Sequence, residues 1–172
     1  MAENPLRYRI VLFDWGDTLM YDNPASTLPM VEWTTVKAVE GIADVLVDLH
    51  SSGRRIILAT SASVSDEGQI HGALARAELD LYFSQIYCFK NTRLPKGAAF
   101  YSHILNDLGV PASDVLMVGD SFEKDIQAPN SVGIFAVWFN QRSHEIRNNE
   151  LHTTVHSMYD LRIFFRRFGN LK

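Results

Sequence analysis

The chain has 172 residues, 47% of them apolar and 21% charged, with a formal net charge of −4. It is long enough for a full core and too apolar for disorder, and its acidic balance gives no general attraction to nucleic acid or anionic lipid, so neither is expected as a partner. A single cysteine, Cys88, excludes an internal disulfide; residues 1–9 lack an apolar signal core and no apolar run approaches membrane-spanning length, so a cytoplasmic protein is expected.

Short β-rich apolar runs at residues 9–13, 55–59, 85–89, 115–118 and 135–139 read as strands, and helical patterns lie between them. Such crossovers make a parallel sheet with helices on both faces, an α/β doubly wound fold. After the first strand, residues 20–34 contain Asn23-Pro24 and Leu28-Pro29 and read as a flap over the crevice. Tyr21, Met30 and Trp33 on it either line a substrate entrance or pin the flap to the body. Val36, Val39, Ala43, Leu46 and Leu49 recur at helical steps and end before Gly53. Ser65 with Asp66 and Glu67 starts a second helix that buries Ile70 and Leu74. The stripe Tyr101, Ile104, Leu105, Leu108 predicts a third, residues 122–130 a fourth with its end blurred by Pro129, and residues 158–168 a last one. Without internal repeats or linkers, residues 1–172 are expected to form a single domain.

The chemistry concentrates where these strands end. Asp14, in Phe13-Asp14-Trp15-Gly16-Asp17-Thr18, emerges at the carboxyl end of the first strand, where open parallel sheets form their ligand crevice. It can serve as nucleophile, metal ligand or helix cap. A carboxylate nucleophile suits phosphoryl transfer because an acyl-phosphate is easily hydrolysed, and the two anions need a cation such as magnesium between them. Gly119-Asp120-Ser121-Phe122-Glu123-Lys124-Asp125 follows the fourth strand, so Asp120 and Asp125 are candidate metal ligands, with helix capping the other reading of Asp120 and Ser121. Thr60 and Ser61 end the second strand, where hydroxyl and backbone donors can hold a phosphoryl oxygen or cap the next helix. Lys96, between Pro95 and Gly97, sits at a helix start where the dipole opposes its charge, which favours a functional role in neutralising phosphate.

These segments, in this order, resemble the haloacid dehalogenase-like hydrolase superfamily, whose motifs are D-x-D-x-T/V, a strand-ending Thr or Ser, a Lys, and Gly-Asp with a further acid. The resemblance runs over residues 8–140. It implies a Rossmann-like five-stranded sheet of order 3-2-1-4-5, with Asp14 as nucleophile and metal ligand. It further implies Asp120 as the second metal carboxylate, Thr60 as the phosphate-holding hydroxyl, Lys96 as the neutralising lysine, and Asp125 as the acid that orients the lysine or supports the metal. One departure stands out. Family phosphatases usually carry a second Asp two residues after the nucleophile as general acid, and here that residue is Gly16. Its backbone carbonyl can still face a metal, but a proton donor is missing, and Asp17 replaces it only if its side chain swings inward.

The expected function is a magnesium-dependent phosphohydrolase working through an aspartyl-phosphate on Asp14, its substrate a phosphorylated small molecule or protein. The alternative is a weakened relative that binds a phosphorylated ligand or protein without turnover, motivated by Gly16. The intervals between motifs leave no room for a large cap, so the crevice is expected to be open, covered only by the flap, a macromolecular substrate or an oligomeric partner. His152 and His156 have helix-ligand spacing but no acid to join them, and a metal there is not expected.

Overall fold

The computed structural model describes residues 6–168; part of the segment read above as lacking a signal core, residues 1–5, lies outside them. The strands are β1 (Ile10–Phe13), β2 (Arg55–Ala59), β3 (Phe83–Tyr87), β4 (Val115–Gly119), β5 (Phe135–Phe139) and β6 (His152–Val155). All pairings are parallel, in the order β3-β2-β1-β4-β5-β6. The predicted order is therefore present, extended by one strand. His152-Thr153-Thr154-Val155 is short and polar, and only its two end residues are buried, so it carries no hydrophobic run to betray it.

Strand alternation sorts the core into two faces. Val11, Phe13, Ile56, Leu58, Leu116, Val118 and Val137 point to one side. There they meet α1 (Ile42–Ser51), α2 (Glu67–Arg76) and α6 (Met158–Phe168) through Leu46, Ile70, Leu161 and Phe165. Ile10, Leu12, Ile57, Met117 and Ala136 point to the other. That side is covered by Phe100, Tyr101 and Ile104 of α4 (Ala98–Leu108), together with Ile126. No helix among the described residues is long and apolar enough to cross a membrane.

Local chemistry moves several boundaries. The third strand ends at Tyr87 because the Asn91 side chain accepts from the Cys88 N–H at 2.9 Å and donates to the Ile86 carbonyl at 2.8 Å, starting the short helix α3 (Phe89–Thr92). Cys88 is thus a buried helix-start residue. The helix expected to include Val36 begins only at Ile42. The preceding residues pair instead with the chain after β1, Tyr21 N–H to Lys37 O and Val39 N–H to Leu19 O, both at 2.9 Å. Gly41 then takes φ +82° at the turn, and a β-carbon there would stand 3.1 Å from Met158 Cβ. The predicted fourth helix is a π-helix over Phe122–Gln127 that runs into α5 (Ala128–Asn130), where Pro129 withholds one helical donor.

Register places the chemistry. Phe13 is level with Leu58 of β2 and Val118 of β4, so the ends of all three strands open on the same edge. Chain direction through the sheet reverses at β1, making this edge the topological switch point. Replacing Leu46, which is fully buried under the sheet, by Ala is expected to destabilise the fold by about 3 kcal/mol, read as a lower midpoint of chemical unfolding.

Candidate active site

Asp14 stands one residue past β1, its N–H bonded to Val118 O at 2.9 Å, and is 8% exposed at the floor of a cleft of about 390 Å³. Its Oδ1 is 2.5 Å from Lys96 Nζ, and its Oδ2 accepts from Thr18 Oγ1 at 3.5 Å. The chain then folds sharply back, with Trp15 O accepting from the N–H groups of Leu19 and Met20 at 2.9 and 3.1 Å. Asp17 lies within this turn at φ 56°, a left-handed conformation Asp tolerates better than most residues.

Lys96 precedes α4 and is almost fully enclosed, 1% of its side chain exposed. Its ammonium bridges Asp14 Oδ1 and, at 2.6 Å, Asp125 Oδ1. Burial works against that charge, but the carboxylates of Asp125 and Asp14 outweigh it and hold the lysine above its usual pKa. Asp125 comes from the π-helix. Its Oδ2 accepts from the Ser121 N–H at 3.0 Å, and it lies so close under Gly119 that a β-carbon there would fall 2.4 Å from the carboxyl carbon. Asp125 is pushed upward by burial, against Lys96 and with help from Asp14. Beneath it the buried Tyr101 hydroxyl donates to Lys124 O at 2.9 Å, fastening α4 to the π-helix.

Asp120 follows β4, and its carbonyl accepts from Trp138 Nε1 at 2.9 Å. Burial and the nearby Asp14 push its carboxyl up to about 6, with Asp17 adding and Arg142 and Lys96 opposing. One carboxylate oxygen from each of Asp14, Asp120 and Asp125 lies within 4.8 Å of the others, the one such group of potential metal ligands among the described residues. Three acids around one enclosed lysine leave the cluster short of positive charge. A hard divalent cation held by carboxylate oxygens would relieve that repulsion.

Thr60 follows β2 with its N–H on Tyr87 O, and its hydroxyl accepts from the Ala62 N–H at 3.1 Å. With Ser61 and residues 62–65 it forms the wall beside Asp14 and Lys96. Gly16 also lines the cleft. The topology thus brings Asp14, Gly16, Asp17, Thr60, Ser61, Lys96, Asp120 and Asp125 to one cleft.

The geometry around Asp17 is specific. Its Oδ1 accepts from the Asp22 N–H at 3.0 Å and its Oδ2 from Arg142 Nη2 at 2.5 Å, while Gln141 Nε2 donates to its carbonyl at 3.2 Å. Arg142 also reaches Asp120 Oδ2 at 3.7 Å. Sequence reasoning missed both Asp22 and Arg142. Asp22 is followed by Asn23-Pro24 and reads as turn chemistry, and Arg142 follows a strand in a polar stretch with no distinguishing pattern.

Both readings of the flap describe parts of it. Met30 and Trp33 line the cleft, and Tyr21 lines an adjoining hollow of about 420 Å³. Arg76 of α2 pins the same segment by donating to the carbonyls of Val31 (2.9 Å), Trp33 (2.6 Å) and Thr34 (3.1 Å). Gly72 lets Val31 approach α2 closely, since a β-carbon there would stand 2.8 Å from Val31 Cγ2. His152 and His156 are not on a helix, and their Nδ1 atoms meet Asn130 Oδ1 and Asn140 O respectively.

Comparison with known proteins agrees with this architecture. A pyrimidine 5′-nucleotidase of Streptococcus pneumoniae is 34% identical over 92 residues, which span 52% of this chain and only 37% of that protein. Among solved structures, an uncharacterized protein of Listeria monocytogenes has a TM-score of 0.77 at 20% identity, over 92% of this chain and 99% of that one. A haloacid dehalogenase-like hydrolase of Xanthomonas campestris has a TM-score of 0.73 at 12% identity, over 96% and 98%. The profile of the haloacid dehalogenase-like hydrolases matches residues 26–139, a stretch that contains Thr60, Lys96, Asp120 and Asp125 and begins after Asp14. With that match over more than half its length, the chain belongs to the haloacid dehalogenase-like hydrolase family.

Proposed function

We propose that this protein is a magnesium-dependent phosphohydrolase that forms an aspartyl-phosphate on Asp14. The observation that carries the reading is the position of Asp14 at the cleft floor, one oxygen on the Lys96 ammonium and a neighbouring pair of acids able to share a cation. Asp14 and Asp120 would hold the metal, with the Gly16 carbonyl open to it and Asp125 supporting from the Lys96 side. The bound cation would neutralise charge between carboxylate and phosphate and polarise the phosphoryl oxygens. Asp14 attacks phosphorus through a carboxylate oxygen, the bond to the leaving oxygen breaks, and water later releases phosphate from the acyl-phosphate. Thr60 and Ser61 hold a phosphoryl oxygen that is not transferred, and Lys96 neutralises charge as it builds.

In this reading the chain acts as a single domain, with the flap standing in place of a cap. The cleft volume suits a phosphorylated small molecule. The activity named for the Streptococcus pneumoniae relative makes pyrimidine nucleoside monophosphates the first substrates to try. Gly16 favours a second reading, binding of a phosphorylated ligand without turnover, and phosphate release separates the two.

Release of phosphate from an aryl phosphate or a pyrimidine nucleotide is expected to require magnesium, to stop with a chelator and resume when the metal is restored. Asp14→Asn is expected to drop to background with the fold retained; undiminished turnover would refute the nucleophile. Gly119→Ala is expected to drive the Asp125 carboxyl out of its place and with it the Lys96 ammonium. A loss of about 10²-fold in kcat, out of proportion to any change in unfolding midpoint, is the measurement.

A further inference from the structure

We infer that Asp22, on the flap, is a further catalytic residue, the carboxyl that delivers the proton to the leaving oxygen and later draws one from the attacking water. The inference rests on the phosphohydrolase reading above. Its starting point is the space over Gly16. A β-carbon built on Gly16 would stand 3.3 Å from Asp22 Cβ, 3.4 Å from its Cγ and 3.4 Å from its Oδ2. A side chain six residues further along therefore fills the volume into which residue 16 would project. Asp14, Gly16 and Asp22 all line one cleft, so that volume opens onto the space above Asp14.

In-line displacement sets the direction. The attacking and leaving oxygens lie on opposite sides of phosphorus, so a nucleophile at the buried floor sends the leaving group toward the cleft mouth. Asp14 is that floor, and Asp22 is an exposed residue of the flap that lines the same cleft. No His, Cys or Tyr lines the cleft among the described residues. Of the remaining acids, Asp125 has one oxygen on Lys96 and the other on Ser121 N–H. Asp120 belongs to the cluster of three acids. Asp17 has both oxygens engaged as acceptors, one by the Asp22 N–H and one by Arg142. Neither Asp17 oxygen is left free to face a leaving group, and the clasp also fixes the backbone of the residue that stands over Gly16. Asp22 Oδ1 accepts from Asn23 N–H at 2.8 Å, which orients the group and leaves Oδ2 toward Gly16.

The proton accounting closes. As an Asp14 oxygen bonds to phosphorus, the bond to the leaving oxygen breaks with its electron pair staying on oxygen. The Asp22 carboxyl gives its proton to that oxygen and becomes a carboxylate. In the second step water loses a proton to Asp22 as its oxygen bonds to phosphorus, and the acyl-phosphate bond breaks to return the Asp14 carboxylate. Asp22 ends each cycle protonated, as it began.

The test compares an alkyl phosphate, a poor leaving group, with p-nitrophenyl phosphate, a good one. Asp22→Asn keeps the acceptor toward Asn23 and the shape of the side chain. It is expected to lose about 10²- to 10⁴-fold in kcat on the alkyl ester and less than tenfold on the aryl ester. Asp17→Asn is expected to affect both esters alike, and Gly16→Asp placed on an Asp22→Ala background is expected to regain alkyl phosphate turnover over Asp22→Ala alone. A uniform loss with Asp22→Asn, no loss, or a leaving-group-selective loss with Asp17→Asn instead overturns the assignment. Should the Asp22 variants not fold, the unaltered enzyme decides. A shallow dependence of kcat/KM on leaving-group pKa across a series of phosphate esters supports proton delivery, and a steep one overturns it. Absence of any Asp14-dependent turnover marks failure of the phosphohydrolase reading itself and takes this assignment with it.

Discussion

The ion triad of Asp14, Lys96 and Asp125 is the interaction on which the rest of the cleft depends. It ties together three pieces of chain distant in sequence: the end of β1, the segment before α4, and the π-helix after β4. Buried ion pairs contribute little net stability, because desolvation offsets most of the attraction, whereas removing one partner of such a set leaves an uncompensated charge in low dielectric. The triad is therefore better understood as a device for position than for stability. It keeps an ammonium within 2.5 Å of the Asp14 carboxylate at a site too enclosed for bulk water to do the same work.

Everything around the triad serves to make that position affordable to the fold. Parallel register brings the ends of β1, β2 and β4 level, so the carboxylates need no long loops to converge. Gly119 removes the β-carbon that would collide with Asp125, and the wider π-helical turn carries Asp125 back under the strand it has just left. Tyr101 fastens the same turn to α4, the helix that Lys96 introduces. The carboxylates of Asp14, Asp120 and Asp125 are a set of hard oxygen donors of the kind that suits a divalent cation.

Much of this was legible in the residues. Hydrophobic runs of four or five residues identified β1, β2, β4 and β5 because those strands are buried on both faces along most of their length, whereas β3 carries Ser84 and Gln85 and begins two residues earlier than its apolar run suggests. The cleft residues Asp14, Thr60, Lys96 and Asp120 were legible because each lies just past a strand or just before a helix, where local pattern marks the boundary, while Asp125, inside the π-helix, was legible only through its spacing from Gly119-Asp120. Three features were not. β6 is half polar and stabilised by its neighbour β5. The start of α1 was set by long-range pairing of residues 37–39 with the chain after β1, which outcompetes helical propensity. Asp22 and Arg142 reach the site only through the folding of loops, and nothing in Asp22-Asn23-Pro24 distinguishes a cleft residue from an ordinary turn.

The Arg76 latch has a consequence for how specificity can change. The loop formed by residues 60–65 leads directly into α2, and the far end of that same helix grips the carbonyls of Val31, Trp33 and Thr34. The wall beside Asp14 and Lys96 and the flap wall of the cleft are thus mounted on one strut. Side chains projecting from the flap can be exchanged while the carbonyls beneath them stay gripped. The outer lining of the cleft can then vary, Asp22 apart, without moving the loop at residues 60–65.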